Sequence, residues 1–287
     1  MTAATTPNNF LGLPEEFSGY ERSQTVILPI PFDKTCSWLQ GTSNGPRAII
    51  DASRNLELYD IETKSEPYRQ GIHTLAPVSG DDSLTMNEAV HSRVRELLAD
   101  GKFVVSLGGE HSVSFGTIKA HAEKHKYLSV LQLDAHTDLR DSYEGNPFSH
   151  ASVMARAKEV VDRVVAVGIR SMDRNELVHV VPDNIFYAEV IREEPSWVRE
   201  VVDRLTDNVY ITLDVDVFDI GIMPSTGTPE PGGLSWYDVI SLFKAVAQKK
   251  KIVGFDVVEL MPSESNRAPD FMTAKVIYKL LAYRGKA

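Results

Sequence analysis

The feature that most constrains the fold is a recurrence. Short, almost continuously apolar runs return along the whole chain, each separated from the next by a longer amphipathic or polar stretch. The runs are 25–31, 72–75, 103–107, 127–133, 164–168, 184–187, 209–213 and 252–258. Strands that are apolar at successive positions bury both faces, so the pattern predicts a mostly parallel central sheet covered by helices on both sides, an α/β fold. Helical patterns fill the gaps. Pro46 follows Gly45 at a first helical turn, 85–99 repeats Met86, Ala89, Val90, Val94 and Leu97 at helical spacing, 235–248 opens on Ser235, and a last helix covers 270–283. No fixed-period repeat or long Gly/Ser linker divides the chain, so 1–287 reads as one domain. Ligands of such sheets bind outside the carboxyl ends of the strands, which is where chemistry is to be sought.

Composition removes several classes. The longest purely apolar runs, such as 164–167, fall far short of the ~18 residues that span a bilayer. The N-terminal Met1-Thr-Ala-Ala-Thr-Thr-Pro7 has neither the basic nor the apolar region of a secretory signal, and Cys36 is the only cysteine; both point to a cytoplasmic protein. A net charge of −10 argues against a nucleic-acid partner and suits a cationic small molecule.

Two strand ends stand out. The run 127–133 leads into Asp134-Ala-His136-Thr-Asp138, and 209–213 leads into Asp214-Val-Asp216. In extended chain, alternate residues project to one side with neighbours about 6.5 to 7 Å apart, so each motif offers its ligands to one face. Four carboxylates crowded together repel unless they share protons or bind cations, and a metal is the natural counter-charge. A third strand end, Gly108-Gly109-Glu110-His111-Ser112, places His111 at the start of a helix over the same edge. Oxygen-rich ligation with two imidazoles and no thiolate suits Mn²⁺ ahead of Mg²⁺, Fe²⁺, Co²⁺ or Zn²⁺. Six ligands exceed the need of one open ion, and two divalent cations balance four carboxylates.

With these stretches in view, the sequence resembles the ureohydrolase family of arginases and agmatinases. The resemblance rests on Ser106-Leu-Gly-Gly-Glu-His-Ser112, Asp134-Ala-His-Thr-Asp138, Leu213-Asp-Val-Asp-Val-Phe-Asp219, Gly227-Thr-Pro-Glu-Pro-Gly-Gly233 and Gly254-Phe-Asp-Val-Val-Glu259, in order along nearly the whole chain, beginning at Pro31-Phe-Asp33 and Gly45-Pro46. It implies a three-layer α/β/α sandwich with two Mn²⁺ per subunit, hydrolysing a guanidino group to urea and an amine, in a homotrimer or homohexamer. It implies that His111, Asp134, Asp138 and Asp214 bind one ion and Asp134, His136, Asp214 and Asp216 the other. Asp138 then orients the attacking hydroxide and passes its proton on, Glu259 holds the guanidinium, and His150 shuttles protons beside the substrate.

The arginase pattern for an α-amino acid is absent from Leu139-Arg-Asp-Ser-Tyr-Glu-Gly-Asn-Pro-Phe-Ser149, which looks instead like the short prokaryotic agmatinases. That resemblance implies agmatine as substrate, yielding putrescine and urea in polyamine biosynthesis, with Asp141 or Glu144 facing its distal ammonium. Guanidinobutyrate, arginine and formimidoylglutamate remain open. So do a two-metal phosphoesterase, although no Gly-x-x-x-x-Gly-Lys element or basic clamp supports it, and a non-catalytic metal or polyamine binder. The stretches 34–44, with Trp38, and 219–225 depart from the family's usual pattern.

Overall fold

The computed structural model describes residues 7–285. The expectation about a secretory signal rests largely on residues 1–6 and lies outside the described residues.

Each apolar run is a strand: β1 (Thr25–Ile30), β2 (Ile72–Thr74), β3 (Phe103–Gly108), β4 (Leu128–Leu133), β5 (Arg163–Ile169), β6 (Ile185–Tyr187), β7 (Asn208–Asp214) and β8 (Lys251–Val258). They form one sheet in the order β2-β1-β3-β8-β7-β4-β5-β6, and every neighbouring pair is parallel. The cause is visible in the burial: every residue of β1, β3 and β4 is buried, as strands covered on both faces must be.

Side chains alternate between two cores. Ile27, Val105, Leu131, Ile211 and Phe255 pack with Ile49, Val201, Phe243 and Ile277, which belong to the helices Gly45–Ser53, Trp197–Arg204, Trp236–Lys249 and Ala268–Arg284. On the other face Val26, Leu28 and Val104 meet Val90 and Val94 of the helix Ser83–Ala99. Val130, Tyr210 and Val253 meet Ile118 of Ser114–Lys124 and Met154 of Val153–Ala157. The layers are therefore helix, sheet, helix.

Element ends follow local chemistry. The helix expected from residue 85 starts at Ser83, because Asp82 caps it: the Thr85 N–H donates to Asp82 Oδ1 at 2.8 Å and the Asp82 N–H to Thr85 Oγ1 at 3.1 Å. Ser235 likewise precedes its helix and caps it. Tyr127, expected inside a strand, instead turns at φ +55 with its ring exposed, and β4 begins one residue later. No described helix is long and apolar enough to cross a membrane.

Chain order explains the location of chemistry. β7 and β8 return late to the middle of the sheet and insert between β3 and β4. Four adjacent central strands thus end in 108–111, 259, 214–216 and 134–138, and all their polar ends meet above one stretch of sheet.

Candidate metal centre and cleft

The loop after β4 does not continue as extended chain. Asp134 Oδ1 accepts the His136 N–H at 2.6 Å, Gln132 Nε2 donates to Asp134 Oδ2 at 2.9 Å and to the His136 carbonyl at 3.0 Å, and Asp138 sits at φ +52. The ligand types therefore converge by a bend that Asp134 itself holds, rather than by strand alternation. The end of β7 turns in the same way, with the Asp216 N–H donating to Asp214 Oδ1 at 2.8 Å. Asp216 Oδ1 then accepts the Ala135 N–H at 2.9 Å, which joins the two loops. Arg170 fastens a third loop, 227–233, by donating to the carbonyls of Asp216, Glu230 and Pro231. After β8, Glu259 sits at φ +65, donates its N–H to the Gly109 carbonyl at 2.7 Å, and accepts the His111 N–H on Oε1 at 2.7 Å. Left-handed backbone at Asp138 and Glu259, neither of them glycine, is strain concentrated where these polar ends meet.

His111 is the most telling residue. Its Nδ1 lies 3.1 Å from Asp134 Oδ2, 3.0 Å from Asp138 Oδ2 and 3.5 Å from Asp214 Oδ2, yet makes no hydrogen bond of acceptable geometry and is fully buried. The other nitrogen is committed. Thr212 Oγ1 lies 2.9 Å from His111 Nε2 and gives its own proton to Asp256 Oδ1 at 2.6 Å, so it accepts from an Nε2–H. Nδ1, the nitrogen left for a cation, is thereby aimed among three carboxylates, the arrangement of an imidazole poised to ligate. His111, Asp134 and Asp138 form one group close enough to hold a metal ion, and Asp134, His136 and Asp216 form another. The two share Asp134. In the second group, His136 Nδ1 is 2.9 Å from Asp216 Oδ2 and 3.7 Å from Asp134 Oδ1. The donor set, oxygen and imidazole with no sulfur, fits hard or borderline divalent cations.

The electrostatics show a shortage of positive charge. Burial, then Asp216, Asp134 and Glu259, push the Asp214 carboxyl well above the usual range. Burial and Asp134 raise Asp138 to about 7, and burial and Glu110 raise Glu259 to about 8. Burial works against a charge on His111 and His136, but the facing carboxylates outweigh it; His111 is raised well above the imidazole range and His136 to about 12. Asp134 is lowered despite its burial, because both imidazoles face it. Without a cation, this cluster must hold protons that metals would replace.

A cleft of ≈ 250 Å³ opens over these groups, and His150, Glu259, Asp214 and Asp216 line it. Burial lowers His150 to about 4, so its ring is neutral at pH 7. Asp141 and Glu144 are not on the cleft wall. Asp141 is exposed and faces His179 at 3.6 Å and Arg156 at 4.0 Å, and Glu144 is an exposed turn residue at φ +50. The Tyr143–Asn146 bridge turns that stretch, so Arg140 and Tyr143 line the cleft instead, with the Arg140 guanidinium over the Tyr143 ring at 5.2 Å.

Sequence reasoning also missed Glu176 and Asp173, which line the cleft after β5. Buried Glu176 accepts from Thr137 Oγ1 and from the Leu139 N–H at 3.0 Å, bracing the loop of Asp138, and pairs with Arg140 at 3.4 Å. Nothing local marks them. Glu110 and Asp256, by contrast, lie inside motifs already singled out.

A sequence model described as the Arginase family matches residues 23–283. The N(1)-aminopropylagmatine ureohydrolase of Synechocystis sp. is 36% identical over 98% of both chains, and the agmatinase of Pyrococcus horikoshii 33% identical over 89% of this chain and 90% of its own. Among solved structures, the agmatine ureohydrolase of Thermoplasma volcanium superposes with a TM-score of 0.88 at 32% identity, covering 99% of this chain and 96% of that one. The match runs through every strand and every motif of the cleft, and the chain is a ureohydrolase that belongs to the arginase family.

Proposed function

We propose that this ureohydrolase holds two Mn²⁺ ions and hydrolyses the guanidino group of agmatine to putrescine and urea. The observation that carries the reading is His111 Nδ1, aimed without a hydrogen-bond partner among Asp134, Asp138 and Asp214 while Thr212 and Asp256 fix its other face. His111, Asp134, Asp138 and Asp214 would hold one ion, and Asp134, His136, Asp214 and Asp216 the other. When bound, the ions supply the Lewis acidity that makes water a nucleophile at neutral pH.

The chain's own residues do the rest. Glu259 keeps Oε1 on the His111 N–H, which leaves Oε2 to hold a planar guanidinium beside the metal groups. Asp138, next to His111, orients the attacking oxygen and takes up its proton. His150, neutral on the cleft wall, relays that proton, accepting it on its ring and handing it to the departing amine as the bond between the guanidino carbon and the alkyl nitrogen breaks. Half-buried Asp173, which lines the cleft and faces Arg140 at 3.7 Å, is an acid that would meet a distal ammonium.

A second reading has its own support: the relative named for N(1)-aminopropylagmatine matches this chain over more of its length and at higher identity than the agmatinase does. That substrate is agmatine lengthened by an aminopropyl group, with the same reacting end. The setting is the cytoplasm, where 1–287 acts as one ureohydrolase domain in a homotrimer or homohexamer. Urea release by Mn²⁺-loaded and chelated protein, over agmatine, N(1)-aminopropylagmatine, arginine and guanidinobutyrate, tests the proposal. Metal-dependent urea from agmatine or its aminopropyl derivative is expected, and their ratio decides between the two readings. Urea from arginine or guanidinobutyrate alone overturns the substrate, and urea from none overturns the activity.

A further inference from the structure

Two segments 115 residues apart meet at a single hydroxyl. Thr35 Oγ1 accepts the His150 backbone N–H at 3.0 Å and lies 3.5 Å from the His150 ring Nδ1. The hydroxyl has little freedom, because it donates its proton to Glu110 Oε1 at 2.5 Å while the Thr35 N–H donates to Glu110 Oε2 at 2.7 Å. Glu110 is wholly buried beneath it and also accepts from Ser112 Oγ and, at 3.5 Å, from Cys36 Sγ. So many donors converging on one side chain are what a carboxylate accepts.

A threonine hydroxyl has one proton and two lone pairs. With the proton committed to Glu110, Thr35 can meet His150 only as an acceptor. A neutral imidazole facing an acceptor through Nδ1 carries its proton there, and its Nε2 is left with a lone pair for the cleft that His150 lines. Thr35 belongs to the loop that departs from the family's usual pattern. Asp33 Oδ2 closes that loop by accepting the Gly41 N–H at 3.0 Å, the Ser43 N–H at 3.2 Å and Ser43 Oγ at 2.8 Å, and Ser37 at its bend lines the cleft. The same hydroxyl therefore sits between the wall formed by the loop and the ring of His150.

We propose that Thr35, aimed by Glu110, is a positioning residue that sets the orientation and tautomer of His150 and ties them to the closed 33–44 loop. The proposal rests on the reading that His150 transfers a proton during guanidino hydrolysis.

The test is Thr35→Val, which keeps shape and removes the hydroxyl, beside Thr35→Ser, which restores it, and His150→Gln as a control. Thr35→Val should lower kcat by roughly 10- to 100-fold, the loss that follows a misplaced supporting group. KM and metal content should stay within about twofold, and Thr35→Ser should recover most of the rate. Nitrogen-15 NMR of histidine-labelled protein, loaded with diamagnetic Mg²⁺ and assigned through His150→Gln, reads the ring itself. Wild type should show the Nδ1–H tautomer, and Thr35→Val a mixture. An Nε2–H tautomer in wild type overturns the proposal whether or not any variant folds. So does a Thr35→Val enzyme with unchanged kcat, or a Thr35→Ser enzyme as slow as Thr35→Val. Full turnover by His150→Gln would instead overturn the proton-transfer reading, while the tautomer would still report on Thr35.

Discussion

Two groups of charge sit in this molecule, one around buried Asp60 and Lys279 with exposed Glu62 at its rim and one at the sheet's carboxyl edge, and they are built on opposite plans. Away from the cleft, Lys279 on the last helix donates to Asp60 Oδ2 at 3.0 Å and to Glu62 Oε2 at 2.7 Å, Tyr283 OH donates to Glu62 at 2.6 Å, and Lys244 reaches Glu62 Oε1 at 2.9 Å. Thr63 adds its N–H and hydroxyl to Asp60, both at 2.8 Å. Every carboxylate there has its own cation and donors, and the hydrogen bonds from Lys279, Tyr283 and Lys244 draw Glu62 down to about 2. At the carboxyl ends of β3, β8, β7 and β4, carboxylates outnumber imidazoles, Asp138 and Glu259 are pushed up to about 7 and 8, and a buried imidazole nitrogen is left unbonded. The first group closes on itself and serves the fold. The second is short of positive charge and stays open to a cation from outside.

Substitutions can break that contrast from either side. Asp214→Ala removes a carboxylate that faces His111 and should cut turnover at least about 10³-fold, about 4 kcal/mol in the barrier, together with metal content. Full metal loading and normal urea release would remove Asp214 from the metal centre. Lys279→Met strands buried Asp60, while exposed Glu62 keeps Lys244, and should cost about 3–5 kcal/mol of stability in denaturant unfolding, with the metal content of the folded protein unchanged. A loss of metal in that variant would mean the two groups are not independent. Glu259→Gln keeps shape but removes the charge meant for the guanidinium, and should lower kcat/KM by about 2–3 kcal/mol, or roughly 30- to 160-fold, with metal retained. Wild-type kcat/KM would reject the role.

The smallest effect is a pH dependence of opposite sign in the two groups. Glu259 holds a proton in the metal-free fold up to about 8 but is ordinarily ionised above 4.5, so the folded state binds more protons and stability falls as pH rises between those values. Metal-free wild type should therefore lose melting temperature relative to Glu259→Gln from pH 5 to pH 8. Glu62 works the other way: its contribution is complete above 4.5 and is lost as pH falls toward 2. A wild-type melting temperature that gains on Glu259→Gln toward pH 8 would contradict the charge deficit.

Much of this plan was legible in the sequence, for a physical reason. Strands buried on both faces write themselves as apolar runs, and residues just past their ends fall on one edge of a parallel sheet, which is why 134–138, 214–216, 111 and 259 converge. What joins them was hidden. Thr212 reaches His111 across 101 residues and Thr35 reaches Glu110 across 75, and no local pattern records such pairs. Asp141 and Glu144 had the charge expected of a wall facing an ammonium, but the turn at Tyr143–Asn146 sends them outward and Arg140 and Tyr143 inward. Direction out of a short loop depends on such turns rather than on composition.

Titrating chelator-stripped protein with Mn²⁺, while following bound metal and melting temperature, decides whether the charge deficit at the sheet's carboxyl edge is a metal centre. Saturation is expected at two ions per chain with a rise in melting temperature, as binding to the folded state alone requires. Less than one ion bound at saturating Mn²⁺, with the melting temperature unmoved, would contradict it.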